Sequence, residues 1–325
     1  MCYVGIDLGG SSIKAVAVAA DGSALGRARR PTPGGSAEAV LTAMAEAGRE
    51  AAGRRRIAGV GAALPGVVDM AQGEALFLPN LPGDWHKRPV TLELGARLQA
   101  PVALLNDVRA AAYGELRVGA GRGCRDFVML AVGTGIGGAI VVGGELFLGS
   151  TAMAGEVGHQ VIDRGGPACG CGRRGCAEAL AAGPALAARA AAAMTAGRSP
   201  QLQRLSNGDP EQVTPRLVAE AAAAGDATAS DLLAAEAELL GTVAANLVVV
   251  LNPQRVIVGG GVALSGEPLL AGIRRTLRQQ IGWYLDYAPV QVVAAALGDE
   301  AGALGAGLWS QRLAGDTTTE GVKAP

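Results

Sequence analysis

Twice in this chain an apolar strand runs into a glycine turn that carries a hydroxyl residue, then returns as a second apolar strand. The first copy is Tyr3-Val4-Gly5-Ile6-Asp7-Leu8, the turn Gly9-Gly10-Ser11-Ser12, and Ile13 to Val18. The second is Phe127 to Val132, the turn Gly133-Thr134-Gly135-Ile136-Gly137-Gly138, and Ala139 to Val142. An echo at such long range points to two related subdomains rather than a solenoid of short repeats. A length of 325 residues agrees with two domains. With half its residues apolar and 18% charged, the chain can bury a core and is too apolar for general disorder. Its 50 glycines fall in clusters without the three-residue period of collagen. Clustered glycines mark tight turns and places where backbone approaches a ligand.

The formal charge is −1, from 28 basic and 29 acidic residues. No basic field exists to hold a nucleic-acid backbone, so no nucleic-acid partner is expected. Asp7 interrupts the opening stretch and no basic segment precedes an apolar one, so a cytoplasmic protein without a secretory leader is expected. The uncharged run Phe127 to Gly144 has membrane-spanning length. Its glycines make two strands and a turn the better reading, and no membrane partner is expected.

Between the two glycine hairpins, periodicity predicts a helix over about 36–52, with Val40, Leu41 and Met44 at core spacing. A strand over Ile57 to Ala63 closes at Pro65-Gly66, and another over Pro101 to Leu105 leads into Asn106-Asp107 and a helix from Val108 to Leu116. Further on, alanine-rich helices are predicted over 184–195 and 215–224, with Gly197 to Asp209 between them as a surface loop. A long helix over about 229–251 places Leu232, Leu239, Val243 and Leu247 on one stripe and stops at Asn252-Pro253. Val256 to Val258 reads as a strand ending on Gly259-Gly260-Gly261. A last helix covers about 300–313, followed by a polar tail.

The spacing of Gly133, Gly135 and Gly138 matches G-x-G-x-x-G, but a dinucleotide fingerprint needs a helix to begin in the turn. Ala139-Ile140-Val141-Val142 follows instead, so a hairpin presenting backbone amides to phosphate oxygens fits better. Asp107, at the end of a strand and the start of a helix, reads both as a helix cap and as a general base for a hydroxyl attacking a phosphoryl group. Asp7, ending a strand before a glycine turn, suits a magnesium ion held through water. His159, Cys169, Cys171 and Cys176, spaced by Gly165, Gly166, Gly170, Gly172 and Gly175, form a Cys3His set of the kind that closes around a structural zinc. Cys2 and Cys124 have no such context.

These residues resemble the ROK family of sugar kinases and sugar-responsive repressors, and most of all its glucose-phosphorylating bacterial members. Asp7-Leu8-Gly9-Gly10-Ser11-Ser12-Ile13-Lys14 resembles the phosphate motif D-x-G-G-T-x-x-K, with Ser11 in place of threonine. Pro79-Asn80-Leu81-Pro82-Gly83 and Asn106-Asp107 resemble the sugar-loop and catalytic-aspartate motifs. Gly155-Glu156-Val157-Gly158-His159 and the stretch from Cys169 to Glu178 resemble the family signature C-x-C-G-x-x-G-C-x-E. Two departures stand out: Arg109 where many members have asparagine, and Leu180-Ala181-Ala182-Gly183 where many carry an aromatic and a serine.

The resemblance implies an α/β, actin-like ATPase (ribonuclease-H-like) fold, with two α/β domains flanking an active-site cleft. The expected domains are 1–107, completed by the last helix at about 299–313, and 108–298 with the zinc segment; 314–325 is expected to be a flexible tail. It further implies ATP-dependent phosphorylation of the 6-hydroxyl of D-glucose, with ATP, Mg2+ and a structural Zn2+. Asp107 would be the catalytic base. Gly66, Asn80, Asn106, Asp107, Glu156, His159 and Glu178 would bind the sugar. Asp7, Gly9, Gly10, Ser11, Ser12, Lys14, Gly133, Thr134, Gly135, Gly259, Gly260 and Gly261 would bind the nucleotide. His159, Cys169, Cys171 and Cys176 would bind zinc. N-acetylmannosamine or another hexose is the alternative acceptor, and a sugar-sensing repressor lacking its DNA-binding domain is the alternative of another class. A homodimer or homotetramer is expected.

Overall fold

A computed structural model describes the chain at residues 1–79 and 81–316. The sugar-loop residue Asn80, and the expected tail from residue 317 on, lie outside the described residues. The chain divides into two compact units. One comprises Met1–Gly123, Gly144–Ala154 and the segment from Ala296 onward; the other comprises Cys124–Gly143 and Gly155–Ala295.

In chain order the first unit opens with β1 (Cys2–Leu8), β2 (Ser12–Val18), β3 (Ala24–Pro31) and α1 (Ala37–Ala52). It continues through β4 (Ile57–Leu64), the small hairpin β5 (Val67–Asp69) and β6 (Glu74–Phe77), α2 (Val90–Leu98), β7 (Val102–Asn106) and α3 (Asp107–Val118). The second unit begins with β8 (Phe127–Val132) and β9 (Ile136–Val142). The chain then returns to the first unit for the two-residue strand β10 (Glu145–Leu146). Back in the second unit come α4 (Ala177–Ala181), α5 (Gly183–Thr195), α6 (Pro200–Leu205), α7 (Pro215–Ala223) and α8 (Ala227–Leu251). After them follow β11 (Arg255–Gly259), α9 (Glu267–Leu285) and β12 (Gln291–Ala294). The helix α10 (Ala301–Asp316) closes the first unit.

The first unit is a five-stranded sheet in the order β3-β2-β1-β4-β7, with the first three strands antiparallel and β1, β4 and β7 parallel. Ser36 starts α1 as expected, its hydroxyl accepting from the amide of Ala39. Its buried side chains Val40, Leu41 and Met44 join the core formed by Val4, Ile6 and Leu8 of β1. The helix α10 seats directly on the sheet, because two strand positions lack side chains. A Cβ at Gly5 would lie 1.7 Å from the Ala303 carbonyl oxygen, and one at Gly61 would lie 1.8 Å from that of Ala306. The helix α3 packs on α10 in the same unit. Its packing carries the unit boundary on to Gly123, where the sequence suggested a break after Asp107.

In the second unit β9 pairs antiparallel with β8, while β8, β11 and β12 run parallel, giving the order β9-β8-β11-β12. The helix α8 is long and apolar enough to cross a membrane by composition, yet its Leu233, Leu240, Val243 and Leu247 are buried in this unit's core. The stripe runs through Leu233 and Leu240, whereas the expected Leu232 and Leu239 are only half-buried. The expected loop 197–209 contains a helix, α6, because Ser199 caps it by accepting from the amide of Leu202 and Pro200 occupies its first turn.

Candidate active site

In the first unit β1 and β2 pair so that Asp7 stands opposite Lys14, and the amide of Gly9 closes the turn on the Ser12 carbonyl at 3.0 Å. The expected phosphate turn is therefore a tight hairpin with Ser11 at its exposed tip. Burial pushes the Asp7 carboxyl up to about 7, and the negative charges of Asp107 and Asp299 push the same way against the opposing pull of Lys14. Asp7 and Asp107 thus share one neighbourhood, although 100 positions separate them in sequence. Asp299, which sequence reasoning missed, lies 3.5 Å from the Lys14 ammonium and 3.6 Å from the Arg29 guanidinium. Its only sequence signal is an acidic pair, Asp299-Glu300, at the start of the last helix.

The cap of α3 is Asn106 rather than Asp107. Asn106 Oδ1 accepts from the amides of Val108 and Arg109 at 3.1 and 3.3 Å, and Asp107 Oδ1 accepts from that of Val108 at 2.8 Å. The other end of the Asn106 amide donates to the Gly66 carbonyl at 3.2 Å, so two expected sugar residues meet. Gly66 has a positive φ of 80°, and a Cβ there would lie 2.2 Å from the Phe77 carbonyl oxygen, so only glycine fits.

In the second unit the turn between β8 and β9 closes with the amide of Gly133 donating to the Gly135 carbonyl at 2.9 Å. Since β9 begins at Ile136, no helix starts here, as the sequence implied. Gly260, at φ 83°, packs so closely that a Cβ would lie 2.4 Å from the Val132 carbonyl oxygen. The Gly133–Gly135 and Gly259–Gly261 turns accordingly lie together at the carboxyl ends of the parallel strands β8 and β11, the usual ligand end of such sheets. The amide of Gly183, at the start of α5, adds a hydrogen bond to the Gly133 carbonyl at 2.8 Å.

Glu178, expected on the sugar, reaches this turn: its Oε2 accepts from the amide of Ile136 at 3.0 Å. Glu156 immediately precedes the short 3-10 turn Val157–His159, and that turn presses on β9 through Gly158, where a Cβ would lie 2.0 Å from the Ile136 carbonyl oxygen. The hairpin turn, Glu178 and His159 therefore belong to one packed cluster.

The ligand atoms of His159, Cys169, Cys171 and Cys176 lie within 4.8 Å of one another. His159 Nδ1 is 3.7 Å from Cys169 Sγ, and Cys171 Sγ is 3.6 Å from Cys176 Sγ. For Zn–S bonds of about 2.3 Å, the edges of a tetrahedron measure about 3.8 Å, so the donors fit a single ion. Glycine makes the fold of this segment possible: at Gly175 (φ 71°) a Cβ would lie 1.5 Å from the Asp163 carbonyl oxygen. The Cys171 thiol is pulled down to about 6, chiefly by the amide hydrogen bond from Arg173, while burial pushes Cys176 up to about 11.

The ROK family model matches residues 3–312. The glucokinase of Streptomyces coelicolor is 35% identical over 308 residues, covering 93% of this chain and 95% of that protein. The N-acetylmannosamine kinase of Escherichia coli O157:H7 is 34% identical over 315 residues, covering 96% and 99%. Among solved structures, a ROK family glucokinase from Streptomyces griseus in complex with glucose and AMPPNP aligns with a TM-score of 0.84 and 35% identity, over 96% of this chain and 100% of that one.

Proposed function

The chain belongs to the ROK family, and on that premise we propose that it transfers the γ-phosphoryl group of ATP to the 6-hydroxyl of D-glucose, giving glucose 6-phosphate and ADP. The observation that carries the chemistry is Asp107 on the first turn of α3, in charge contact with the Asp7 hairpin. Phosphoryl transfer asks mainly for alignment and charge stabilisation, plus an acceptor for the hydroxyl proton. Asp107 takes that proton as the 6-hydroxyl oxygen attacks the γ-phosphorus and the bond to the ADP oxygen breaks. Asn106, fixed by the Gly66 carbonyl and the α3 amides, orients the sugar beside it. Asn80 belongs to the same proposed set, with Glu156, His159 and Glu178 taking further sugar hydroxyls.

The nucleotide contacts in this reading come from Gly9, Gly10, Ser11, Ser12 and Lys14 in the first unit. Gly133, Thr134, Gly135, Gly259, Gly260 and Gly261 supply those of the second. Tight glycine turns leave amides accessible to phosphate oxygens. Asp7 shares its neighbourhood with the carboxyls of Asp107 and Asp299, an oxygen-rich setting that suits a divalent cation. When bound there through water, Mg2+ would neutralise charge on the phosphates. Zinc held by His159, Cys169, Cys171 and Cys176 would act as a scaffold that orients His159 toward the sugar.

Self-association as a homodimer or homotetramer and a cytoplasmic location complete the proposal. The exposed Trp283 and Tyr287 near the end of α9 support self-association. The test is kcat/KM across glucose, mannose, fructose, N-acetylglucosamine and N-acetylmannosamine with ATP. Glucose is expected to lead, since a site built to bond a hydroxyl rejects analogues that leave its polar groups unpaired. A higher value for N-acetylmannosamine would transfer the reading to that sugar and leave the chemistry standing.

A further inference from the structure

The helix that starts with Asp107 also carries two buried charged side chains, Arg109 at 3% exposure and Glu115 at 0%. Both bond backbone groups. Glu115 Oε1 accepts from the amides of Ala296 and Leu297 at 2.9 and 2.8 Å, and its Oε2 accepts from the amide of Ala120 at 2.6 Å. The Glu115 carbonyl takes two more amides, Gly119 at 3.1 Å and Gly121 at 2.9 Å. A Cβ at Gly119 would lie 2.2 Å from Glu115 Oε2, so a side chain there would displace the carboxylate. Arg109 Nε and Nη2 both donate to the Ala154 carbonyl, at 3.1 and 2.8 Å.

The bonded segments share one property of connectivity. The chain leaves this unit after Gly123 and after Ala154, and re-enters it at Gly144 and at Ala296. Glu115 holds the segment leading to Gly123 and the one beginning at Ala296, and Arg109 holds Ala154 itself. Three of these four passages are thus tied to one helix by two side chains. Burying a carboxylate is costly unless several donors satisfy it, and an apolar residue at 115 would strand three amides. The segment held at 296–297 leads directly to Asp299, which pairs with Lys14 of the phosphate hairpin.

We propose that Glu115 and Arg109 are positioning residues for phosphoryl transfer, fixing the chain's passages to the same helix that presents Asp107. The inference rests on the kinase reading above. Loosening the passages lets Asp299 drift relative to the Lys14 hairpin and Asp107 in the same unit. A misplacement of about 1 Å can cost about a hundredfold in rate.

The experiment compares Glu115→Gln with the wild-type chain. Glutamine keeps the volume but replaces one acceptor by a donor. Amide exchange at Ala120, Ala296 and Leu297 is expected to quicken about tenfold, with the β1 and β4 amides unchanged. The kcat is expected to fall about tenfold to a hundredfold while KM for glucose and ATP stays within about threefold. Unchanged exchange at those three amides overturns the anchoring, and quicker exchange with unchanged kcat overturns the positioning role. Should Glu115→Gln fail to fold, Arg109→Lys decides by the same comparison of kcat against KM, an unchanged kcat again overturning the proposal. A wild-type chain without sugar-dependent ATP consumption sinks the kinase reading separately, and the exchange measurement, made without substrate, still decides the anchor.

Discussion

Glu178 and Ile136 are joined by a 3.0 Å hydrogen bond from the Ile136 amide to Glu178 Oε2, so a carboxylate expected on the sugar closes over the turn expected on the nucleotide. A Cβ at Gly135 would lie 2.4 Å from that same oxygen. Gly135→Ala must therefore displace the carboxylate and break its bond to the turn. Losing one charge-assisted hydrogen bond costs about 1.5–3 kcal/mol. KM for ATP and for glucose are both expected to rise about tenfold or more in steady-state kinetics, because in the proposed site one carboxylate serves both ends. A rise in neither removes the turn from the active site.

Asp107→Asn separates chemistry from capping. Since Asn106 supplies the cap of α3, asparagine at 107 removes the proposed proton acceptor and leaves the helix start in place. The kcat is expected to fall by about 10²–10⁴, the usual range for loss of a general base. The thermal midpoint is expected to stay close to that of the wild type. Turnover near the wild-type value would leave Asp107 without a catalytic role.

Both glycine hairpins are legible in the sequence because short apolar runs flank glycine-rich turns. β3 is not, since Arg27, Arg29 and Arg30 interrupt its pattern at the sheet edge, where side chains reach water and pair with Glu300, Asp299, Glu46 and Glu50. α6 was hidden by its polar composition although its start signal, Ser199-Pro200, stood in plain view. At the site, the thiol cluster is local in sequence and reads directly. Asp299 and Glu115 do not, because their partners are remote; Glu115 and Leu297 are 182 positions apart. The choice between Asn106 and Asp107 as cap could not be made from residue type, since both side chains accept from helix amides. Geometry decides it for Asn106.

Two carboxyls raised on folding make a falling contribution to stability as pH increases. Burial pushes Glu236 up to about 7 despite its 2.6 Å contact with Arg189, and Asp7 is likewise raised to about 7. Between about pH 4.5 and pH 7 the folded chain keeps protons on these groups that the unfolded chain has released. Their contribution is therefore fully present below about pH 4 and is lost as pH rises to about 7, with at most about 1.4 kcal/mol per pH unit for each group. Thermal midpoints measured from pH 5 to pH 8 are expected to fall along this limb and then level. Glu236→Gln is expected to flatten the fall by about half, and an unaltered slope would remove Glu236 as a source.

Zinc is the sharpest case because the donor set excludes hard cations. Three thiolates and one imidazole at tetrahedral spacing favour zinc over hard cations such as magnesium, which take oxygen ligands. Elemental analysis of the purified chain is expected to give one zinc per molecule. Cys171 is the exposed member of the set, so Cys171→Ser removes a ligand without opening a cavity in the core. The variant is expected to bind zinc more weakly and to melt at a lower temperature, since metal binding energy is folding energy in such segments. Because His159 is expected both to hold the zinc and to contact the sugar, KM for glucose is expected to rise more than KM for ATP. A folded, active wild-type chain that carries no zinc after ordinary purification would falsify the assignment.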